Sequence, residues 1–242
     1  MNEEKFTGKA DLYDKYRPSY PRELIDWLYD KTKAETVADI GAGTGKFTKC
    51  LTAKPWKITA VEPNDDMRSK LSIEGVEVIS AAAENTGLPD GSIDLVTAAQ
   101  AFHWFDKDKF RTECRRILKS KGSLAVVFNE SRDCDLVEER NEVFKKYCGA
   151  CRASDIGGSK VKFDDLIKNS YFSHLDTFST CNDSQVDADA FVGRELSNSY
   201  ALKEGSRLFQ EFKEELGKIF QKYQKDGIVT VKGITTCYLG KF

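Results

Sequence analysis

A glycine-rich turn is the segment of this chain whose residue types and spacing are best suited to chemistry. Residues 37–47 read VADIGAGTGKF, an apolar β-leaning run that passes through three alternating glycines into a helical pattern. Glycine lets the backbone turn tightly and approach a ligand without an intervening Cβ. The helix that follows directs its free N–H groups at that ligand. The segment therefore predicts a ligand-binding loop between a strand and a helix.

Two acidic residues frame this turn and indicate the kind of ligand. Asp39 stands before the first glycine, where a carboxylate suits a ligand that carries an ammonium group. Glu62 ends the next β-leaning run, about 20 residues after the turn, where a doubly wound sheet places the carboxylate that binds both ribose hydroxyls. The GxGxG spacing differs from the GxGxxG of dinucleotide-binding proteins and from the GxxxxGK[ST] of phosphate-binding loops.

The glycine turn and the two acidic residues can meet only if strands and helices alternate along the chain, and the sequence predicts both. The β-leaning runs of the first half cover residues 36–42, 57–63, 76–82, 93–100 and 123–129. A helix is predicted over residues 106–120, with Phe110, Cys114, Ile117 and Leu118 on one face. After residue 130 the patterns predict helices at 136–147, 163–170 and 209–223, and strands at 177–185 and 228–242 with a bend at Gly233. Near-continuous apolar strands that alternate with helices predict a parallel sheet covered on both faces.

Composition limits the classes of protein to which the chain can belong. It has 242 residues, 40% of them hydrophobic and 31% charged, with a formal net charge of -2. The basic residues form no block, so no nucleic-acid partner is expected. The N-terminus lacks the build of a secretory signal, and no apolar run approaches the roughly 18 residues of a membrane helix. We therefore expect a cytoplasmic protein, a monomer or homodimer, with no stable membrane insertion.

The seven cysteines are odd in number and irregular in spacing, which indicates reduced thiols rather than a disulfide framework. Cys148 and Cys151 form the one CxxC pair. A zinc site needs about four ligands, and the two histidines, His103 and His174, lie far away in sequence. No metal site is predicted; the pair is interpreted as structural, with redox or metal chemistry as the alternative.

Over roughly residues 10–130 the chain resembles the class I S-adenosylmethionine-dependent methyltransferases. Residues 39–45 (DIGAGTG) resemble their first motif, and residues 61–63 (VEP) their second. Residues 83–95 (AENTGLPDGSIDL) resemble their adenine-side and fourth-strand motifs, and residues 115–122 (RRILKSKG) the segment before their fifth strand. The stretches 16–21 (YRPSYP) and 99–105 (AQAFHWF) are similar to those of the methyltransferase type 11 subgroup, which includes ubiquinone-biosynthesis and trans-aconitate methyltransferases.

This resemblance implies an α/β fold and a division of the chain. The fold would be Rossmann-like and doubly wound, a seven-stranded, mostly parallel sheet with helices on both faces and an antiparallel last strand. One domain would span residues 1–242. Residues 1–35 would form an N-terminal helical lid and residues 36–130 the cofactor-binding core. Residues 131–242 would supply a helical insertion and the last strands, which form the acceptor side.

The resemblance also implies the residues that bind the cofactor, S-adenosyl-L-methionine, and its product, S-adenosyl-L-homocysteine. The turn would line the methionine part, Glu62 would bind the ribose, and Pro63 and Met67 would flank the adenine, although core packing is an equal alternative for Met67. Ala83 and Glu84 would meet the adenine edge, where many relatives carry an aspartate and this chain has Ala82. The expected cofactor-binding residues are Tyr13, Arg17, Asp39, Gly41, Ala42, Gly43, Gly45, Glu62, Pro63, Met67, Ala83, Glu84, Gln100 and Phe102.

Two regions are expected to complete the site. In the resembling family, the segment with Tyr13 and Arg17 folds over the cofactor, and an arginine there can pair with its carboxylate; a surface arginine is the alternative. His103 follows the fourth strand, where open α/β sheets bind ligands. Its neutral ring is a candidate general base, or else it only hydrogen-bonds the cofactor or a strand.

The function that follows is methyl transfer to a small-molecule acceptor by in-line displacement. The [DNS]PP[YFW] tetrapeptide of amino-group DNA methyltransferases and a Pro-Cys pair are both missing, which disfavours DNA as the acceptor. Two alternatives stay open at this point. One is a cofactor-binding protein without methyl transfer, in a regulatory or partner role. The other is an NAD-dependent oxidoreductase, against which the glycine spacing and Asp39 speak.

Overall fold

The computed structural model describes residues 6–132, 134–149 and 171–242. Its strands are β1 (Thr36–Ile40), β2 (Lys57–Val61), β3 (Val76–Ile79), β4 (Ile93–Ala99), β5 (Leu118–Ser131), β6 (His174–Cys181), β7 (Ser184–Val186), β8 (Val229–Val231) and β9 (Gly233–Lys241). Seven of them form one sheet in the order β3-β2-β1-β4-β5-β9-β6. Strands β1 to β5 pair in parallel, and β9 runs antiparallel to both β5 and β6. The predicted doubly wound sheet with an antiparallel last strand is confirmed.

Helices cover both faces of this sheet. They are α1 (Ala10–Tyr16), α2 (Arg22–Thr32), α3 (Lys46–Leu51), α4 (Asp65–Arg68), α5 (Lys107–Ile117), α6 (Asp135–Cys148), α7 (Ala188–Leu196) and α8 (Phe209–Tyr223). Successive strand residues enter different cores: Val126 packs with α5, and Val127 packs with α2. This alternation follows from the two-residue period of a strand. No described helix is long and apolar enough to cross a membrane.

Several strands and helices begin or end at other residues than the sequence predicts, because contacts with distant parts of the chain determine their ends. The helix predicted to run to residue 120 ends at Ile117, because Leu118 already pairs with Ile93 as the start of β5. The strand predicted at 177–185 divides into β6 and β7. The bend expected at Gly233 separates β8 from β9, and a Cβ there would lie 2.4 Å from the carbonyl oxygen of Asn182. The helix predicted at 163–170 lies outside the described residues.

The N-terminal segment is fastened to the helical insertion. Helix α1 packs on α7 so closely that a Cβ at Gly193 would lie 2.3 Å from the ring of Tyr16. Lys9 is buried, and its Nζ donates hydrogen bonds to the carbonyl oxygens of Asn198 (2.5 Å) and Ala201 (2.8 Å). The N-terminal segment and helix α7 with the residues after it are therefore packed together.

Candidate functional site

A cavity of about 220 Å³ lies at the carboxyl ends of β1, β2 and β4, where an open α/β sheet binds ligands. It brings together eleven of the residues expected to bind the cofactor. They are Tyr13, Asp39, Gly41, Ala42, Gly43, Glu62, Pro63, Met67, Ala83, Glu84 and Gln100. Five stretches distant in sequence thus meet at one edge of the sheet.

The glycine turn has a backbone that only glycine adopts without strain. Gly41, Gly43 and Gly45 have φ values of +69°, +59° and +86°, in the left-handed region that disfavours other residues. A Cβ on Gly41 would lie 2.6 Å from the Cβ of Ala101. Alternating glycines therefore shape the turn and admit the neighbouring loop.

Glu62 is held in a fixed orientation at the cavity. Its two carboxylate oxygens accept hydrogen bonds from the backbone N–H groups of Gly43 (2.8 Å) and Asn64 (2.9 Å). The residue is only 7% exposed and lies on the cavity wall. A carboxylate has about four acceptor positions, so these bonds orient the group toward hydroxyl donors of a ligand.

Asp39 is a buried acid whose charge the protein supports with two hydroxyl groups. It is 1% exposed and accepts hydrogen bonds from Thr48 (2.6 Å) and Thr97 (2.8 Å). Burial, with a smaller contribution from nearby Glu62, raises the pKa of Asp39 to about 6 against the effect of these hydrogen bonds. A cationic ligand in the cavity would relieve this electrostatic cost.

The loop after β4 bends at Gln100, a non-glycine residue with a φ of +54°. Its side-chain amide donates to the carbonyl oxygen of Asn129, and its backbone N–H donates to that of Val127 at 2.8 Å. Left-handed backbone at a non-glycine residue persists where neighbouring contacts impose it, often at functional sites. These bonds to β5 turn the chain from the sheet toward the cavity wall.

The segment expected at the adenine edge is anchored to α5. Glu84 accepts a hydrogen bond from the backbone N–H of Asp106 at 2.7 Å. The buried carboxylate of Glu113 accepts hydrogen bonds from the backbone N–H (2.8 Å) and the hydroxyl (2.6 Å) of Thr86, and it pairs with Arg116 (2.7 Å). Contacts between α5 and the loop after β3 thus fix this side of the cavity.

Aromatic side chains of the N-terminal segment and of the loop after β4 line the cavity. The ring of Phe6 meets those of Tyr13 and Trp104 edge to face, each at 5.9 Å between centroids. Burial raises the pKa of Tyr13 and of Tyr20, which keeps both phenols neutral. Nine lining residues were not among the expected cofactor-binding residues: Phe6, Tyr20, Lys46, Phe47, Asn64, Ala99, Ala101, Trp104 and Phe105. Lys46, Phe47 and Asn64 directly follow the two motifs, so their position in sequence was a usable signal.

Four expected site residues do not line the cavity. Gly45 caps α3, and Phe102 is fully buried against Phe110. His103 packs its ring against Trp104, 4.7 Å between centroids. Arg17 donates to the side-chain oxygen of Asn198 at 2.7 Å and stands over the ring of Tyr13.

The described residues contain no group of three or more His, Cys, Asp and Glu side chains arranged to hold a metal ion. Of the CxxC pair, Cys148 ends α6 as a free thiol, and Cys151 lies outside the described residues. The described part of the chain therefore gives no support to a role for this pair in metal binding.

The chain is similar to known methyltransferases over the cavity-forming half. The family model described as "Methyltransferase domain" matches residues 38–126. An uncharacterized methyltransferase of Mycobacterium tuberculosis is 38% identical over 126 residues, 51% of each chain. An uncharacterized methyltransferase of Schizosaccharomyces pombe is 32% identical over 152 residues, 59% of this chain and 61% of the other. The chain thus spans about half the length of the curated relatives it matches.

Solved structures share the fold across nearly the whole chain. The YcgJ protein of Bacillus subtilis has a TM-score of 0.57 at 16% identity and covers 92% of this chain and 100% of its own. A methyltransferase of Geobacter sulfurreducens in complex with S-adenosyl-L-homocysteine has a TM-score of 0.54 at 14% identity and covers 98% of both chains. Residues 38–126 thus match the methyltransferase domain family, and the chain as a whole shares the fold of these solved structures.

Proposed function

We propose that this chain transfers the methyl group of S-adenosylmethionine to a small-molecule acceptor by in-line displacement. The observation that carries the proposal is the meeting of the glycine turn, Glu62 and the loop after β4 at one cavity. Glu62 would bind the ribose hydroxyls, and the turn would hold the methionine part. Asp39, 1% exposed, offers a negative charge to a cationic ligand.

The lining residues suit a reaction that depends on alignment. The cofactor supplies a methyl group on a positively charged sulfur, which is already an activated donor. Positioning can lower such a barrier by up to about 7–11 kcal/mol in well-oriented systems. The rings of Phe6, Tyr13 and Trp104 line the cavity, where aromatic rings would limit the access of water and attract a cation.

We also propose that the whole chain works as one domain. Residues 1–35 would act as the lid, residues 36–130 as the cofactor-binding core and residues 131–242 as the acceptor side. The contacts of Lys9 with Asn198 and Ala201 support a lid that closes against the insertion. We propose a cytoplasmic monomer or homodimer without a nucleic-acid partner, in keeping with the even spread of basic residues.

Two binding titrations test the cofactor assignment. The protein should bind S-adenosyl-L-homocysteine in isothermal titration calorimetry and should not bind NAD. Glu62→Ala should weaken the first affinity by about 10- to 100-fold, because charge-assisted hydrogen bonds contribute roughly 1.5–3 kcal/mol. Exposed Glu74 provides a matched control, and Glu74→Ala should leave the affinity unchanged. Wild-type protein that binds NAD instead of S-adenosyl-L-homocysteine would refute the proposal.

A methyl-transfer screen tests the reaction itself. Small acids, phenols and quinol-like lipids are incubated with S-adenosylmethionine, and products are detected by a mass gain of one methylene. Any product must appear with stoichiometric S-adenosyl-L-homocysteine. Cofactor binding without transfer to any acceptor would favour a regulatory or partner role.

A further inference from the structure

Lys46 brings a positive charge to the end of the cavity that the glycine turn forms. It is the first residue of α3, directly after Gly45, and it lines the cavity. Its neighbour Phe47 packs its ring on Tyr20, with 4.7 Å between centroids. Cys50, one turn further along α3, acts electrostatically on both Lys46 and Tyr20. Lys46 therefore lies where α3 meets the N-terminal segment that carries Tyr20.

The ammonium group of Lys46 forms no ion pair or hydrogen bond with a residue that the structure describes. The residue is half-buried, and this burial lowers the pKa of Lys46. The charge of Asp14 on α1 raises that pKa, but no hydrogen bond joins the two side chains. Withdrawing a cation from water costs free energy unless an anion or another acceptor replaces the lost water. A negatively charged group of a bound ligand would offset this cost.

The charges around the cavity are divided between its parts. Among the described residues that line it, Lys46 carries the one positive charge, while Asp39, Glu62 and Glu84 are acidic. A ligand that carries both a cationic centre and a carboxylate would match this distribution. Its cationic centre would lie toward the acidic residues, and its carboxylate toward Lys46.

Arg17, the cation that the sequence resemblance implies for the cofactor carboxylate, has a different partner in the structure. Its guanidinium donates to the side-chain oxygen of Asn198 at 2.7 Å. Arg17 does not line the cavity, whereas Lys46 does. The described structure therefore offers Lys46 rather than Arg17 to an anionic group in the cavity.

We propose that Lys46 pairs with the carboxylate of the methionine part of the cofactor and thereby selects the complete cofactor over analogues that lack this charge. The glycine turn that would hold the methionine part ends at Gly45, so Lys46 is the next residue along the chain. A lysine ammonium is a compact charge with three donors on a flexible stem, which suits the end of a ligand. This inference rests on the proposed function, since it assigns a residue to the same ligand.

The test compares ligands that differ only in this charge. Full-length protein is titrated calorimetrically with S-adenosyl-L-homocysteine and with its carboxamide, in which a neutral amide replaces the carboxylate. The nucleoside 5′-methylthioadenosine, which lacks the whole amino-acid part, forms a third arm. The wild type should bind S-adenosyl-L-homocysteine at least about tenfold more tightly than the carboxamide, because a charge-assisted pair is lost in the latter.

Variants of three basic residues locate the pair. Lys46→Met retains an apolar stem; it should weaken binding of S-adenosyl-L-homocysteine by about 10- to 100-fold and change binding of the carboxamide by less than about threefold. Lys46→Arg retains the charge and should keep most of the preference for the carboxylate. Exposed Lys49 lies on the same helix and acts on Lys46 through its charge alone. Lys49→Met and Arg17→Gln should therefore keep the wild-type preference.

The outcomes separate this inference from the proposed function. Equal affinity of the wild type for S-adenosyl-L-homocysteine and its carboxamide would overturn the role of Lys46 and leave the proposed function standing. The role is also overturned if Lys46→Met, shown to be folded by circular dichroism, weakens all three ligands equally. Loss of the preference in Arg17→Gln, with Lys46→Met unaffected, would assign the carboxylate to Arg17. Failure of the wild type to bind S-adenosyl-L-homocysteine at all would refute the proposed function itself.

Discussion

Replacing Asp39 by asparagine should stabilise this protein at neutral pH. Burial raises the pKa of the Asp39 carboxyl from 3.8 to about 6 in the folded state. The folded protein therefore holds a proton more tightly than the unfolded chain between these values, and stability falls as pH rises from 3.8 to 6. About two pKa units correspond to about 3 kcal/mol lost above pH 6. The asparagine side chain of the variant has no charge to bury, while the hydroxyls of Thr48 and Thr97 can reorient to its amide.

Urea unfolding followed by tryptophan fluorescence measures this effect. Asp39→Asn should exceed the wild type by up to about 3 kcal/mol at pH 8, with a difference that shrinks steadily toward pH 4. Its affinity for S-adenosyl-L-homocysteine and for S-adenosylmethionine should be compared, because only the latter carries the sulfonium charge. The variant should lose more affinity for S-adenosylmethionine.

Asp94→Asn is a control of opposite sign. Although burial opposes them, hydrogen bonds from Lys119, Thr36 and Glu35 lower the pKa of Asp94 to about 2. Its contribution to stability is present above pH 3.8 and is lost as pH falls toward 2, so Asp94→Asn should destabilise the protein at neutral pH. A difference between Asp39→Asn and the wild type that stays constant from pH 5 to pH 8 would refute the reasoning for Asp39.

Three further predictions concern the turn, the lid and the proposed base. Gly41→Ala should lower the free energy of unfolding by about 2–5 kcal/mol, because it adds left-handed strain and overpacking. Gly87 has a φ of +74° and open space around it, so Gly87→Ala should lower that free energy by only about 1–2 kcal/mol. Denaturant titrations that give equal losses for the two variants would contradict this prediction. Burial lowers the pKa of Lys9 to about 8. The wild type should therefore gain stability relative to Lys9→Met as pH rises from about 8 to 10.5. Thermal melts in which the two proteins differ in Tm by the same amount at pH 7.5 and at pH 10 would argue against this prediction. His103→Ala should keep kcat within about threefold for a carboxylate acceptor, which has no proton to remove; a loss above about a hundredfold in initial rates would restore His103 as the base.

The sheet could be predicted because its signals are local. Each of the first five strands begins or passes through an apolar run that is readable without knowledge of its neighbours. Boundaries depended on partners distant in sequence: β5 starts at Leu118 because Ile93 is there to pair with it. The division between β6 and β7 also depends on partners distant in sequence, since β6 pairs with β9 and β7 pairs with β8. The sequence pattern alone therefore did not show that they are separate strands.

The site residues also divide into those that a local motif indicates and those that only the fold brings together. Gly43 and Glu62 belong to local motifs, so their place at the cavity could be predicted, whereas the hydrogen bond between them could not. Phe6 and Trp104 meet across almost a hundred residues, and each alone is typical of a core aromatic. Arg140 belongs to no motif, so only the packing of α6 against α7 reveals that it lies 3.6 Å from Glu195.

The attachment of the lid to the insertion has a kinetic consequence. The segment that carries Phe6 and Tyr13 lines the cavity, and it is tied through Lys9 and Arg17 to Asn198. If this segment has to move for the cofactor to exchange, we expect these hydrogen bonds to slow that exchange, and variants that remove them should release S-adenosyl-L-homocysteine faster.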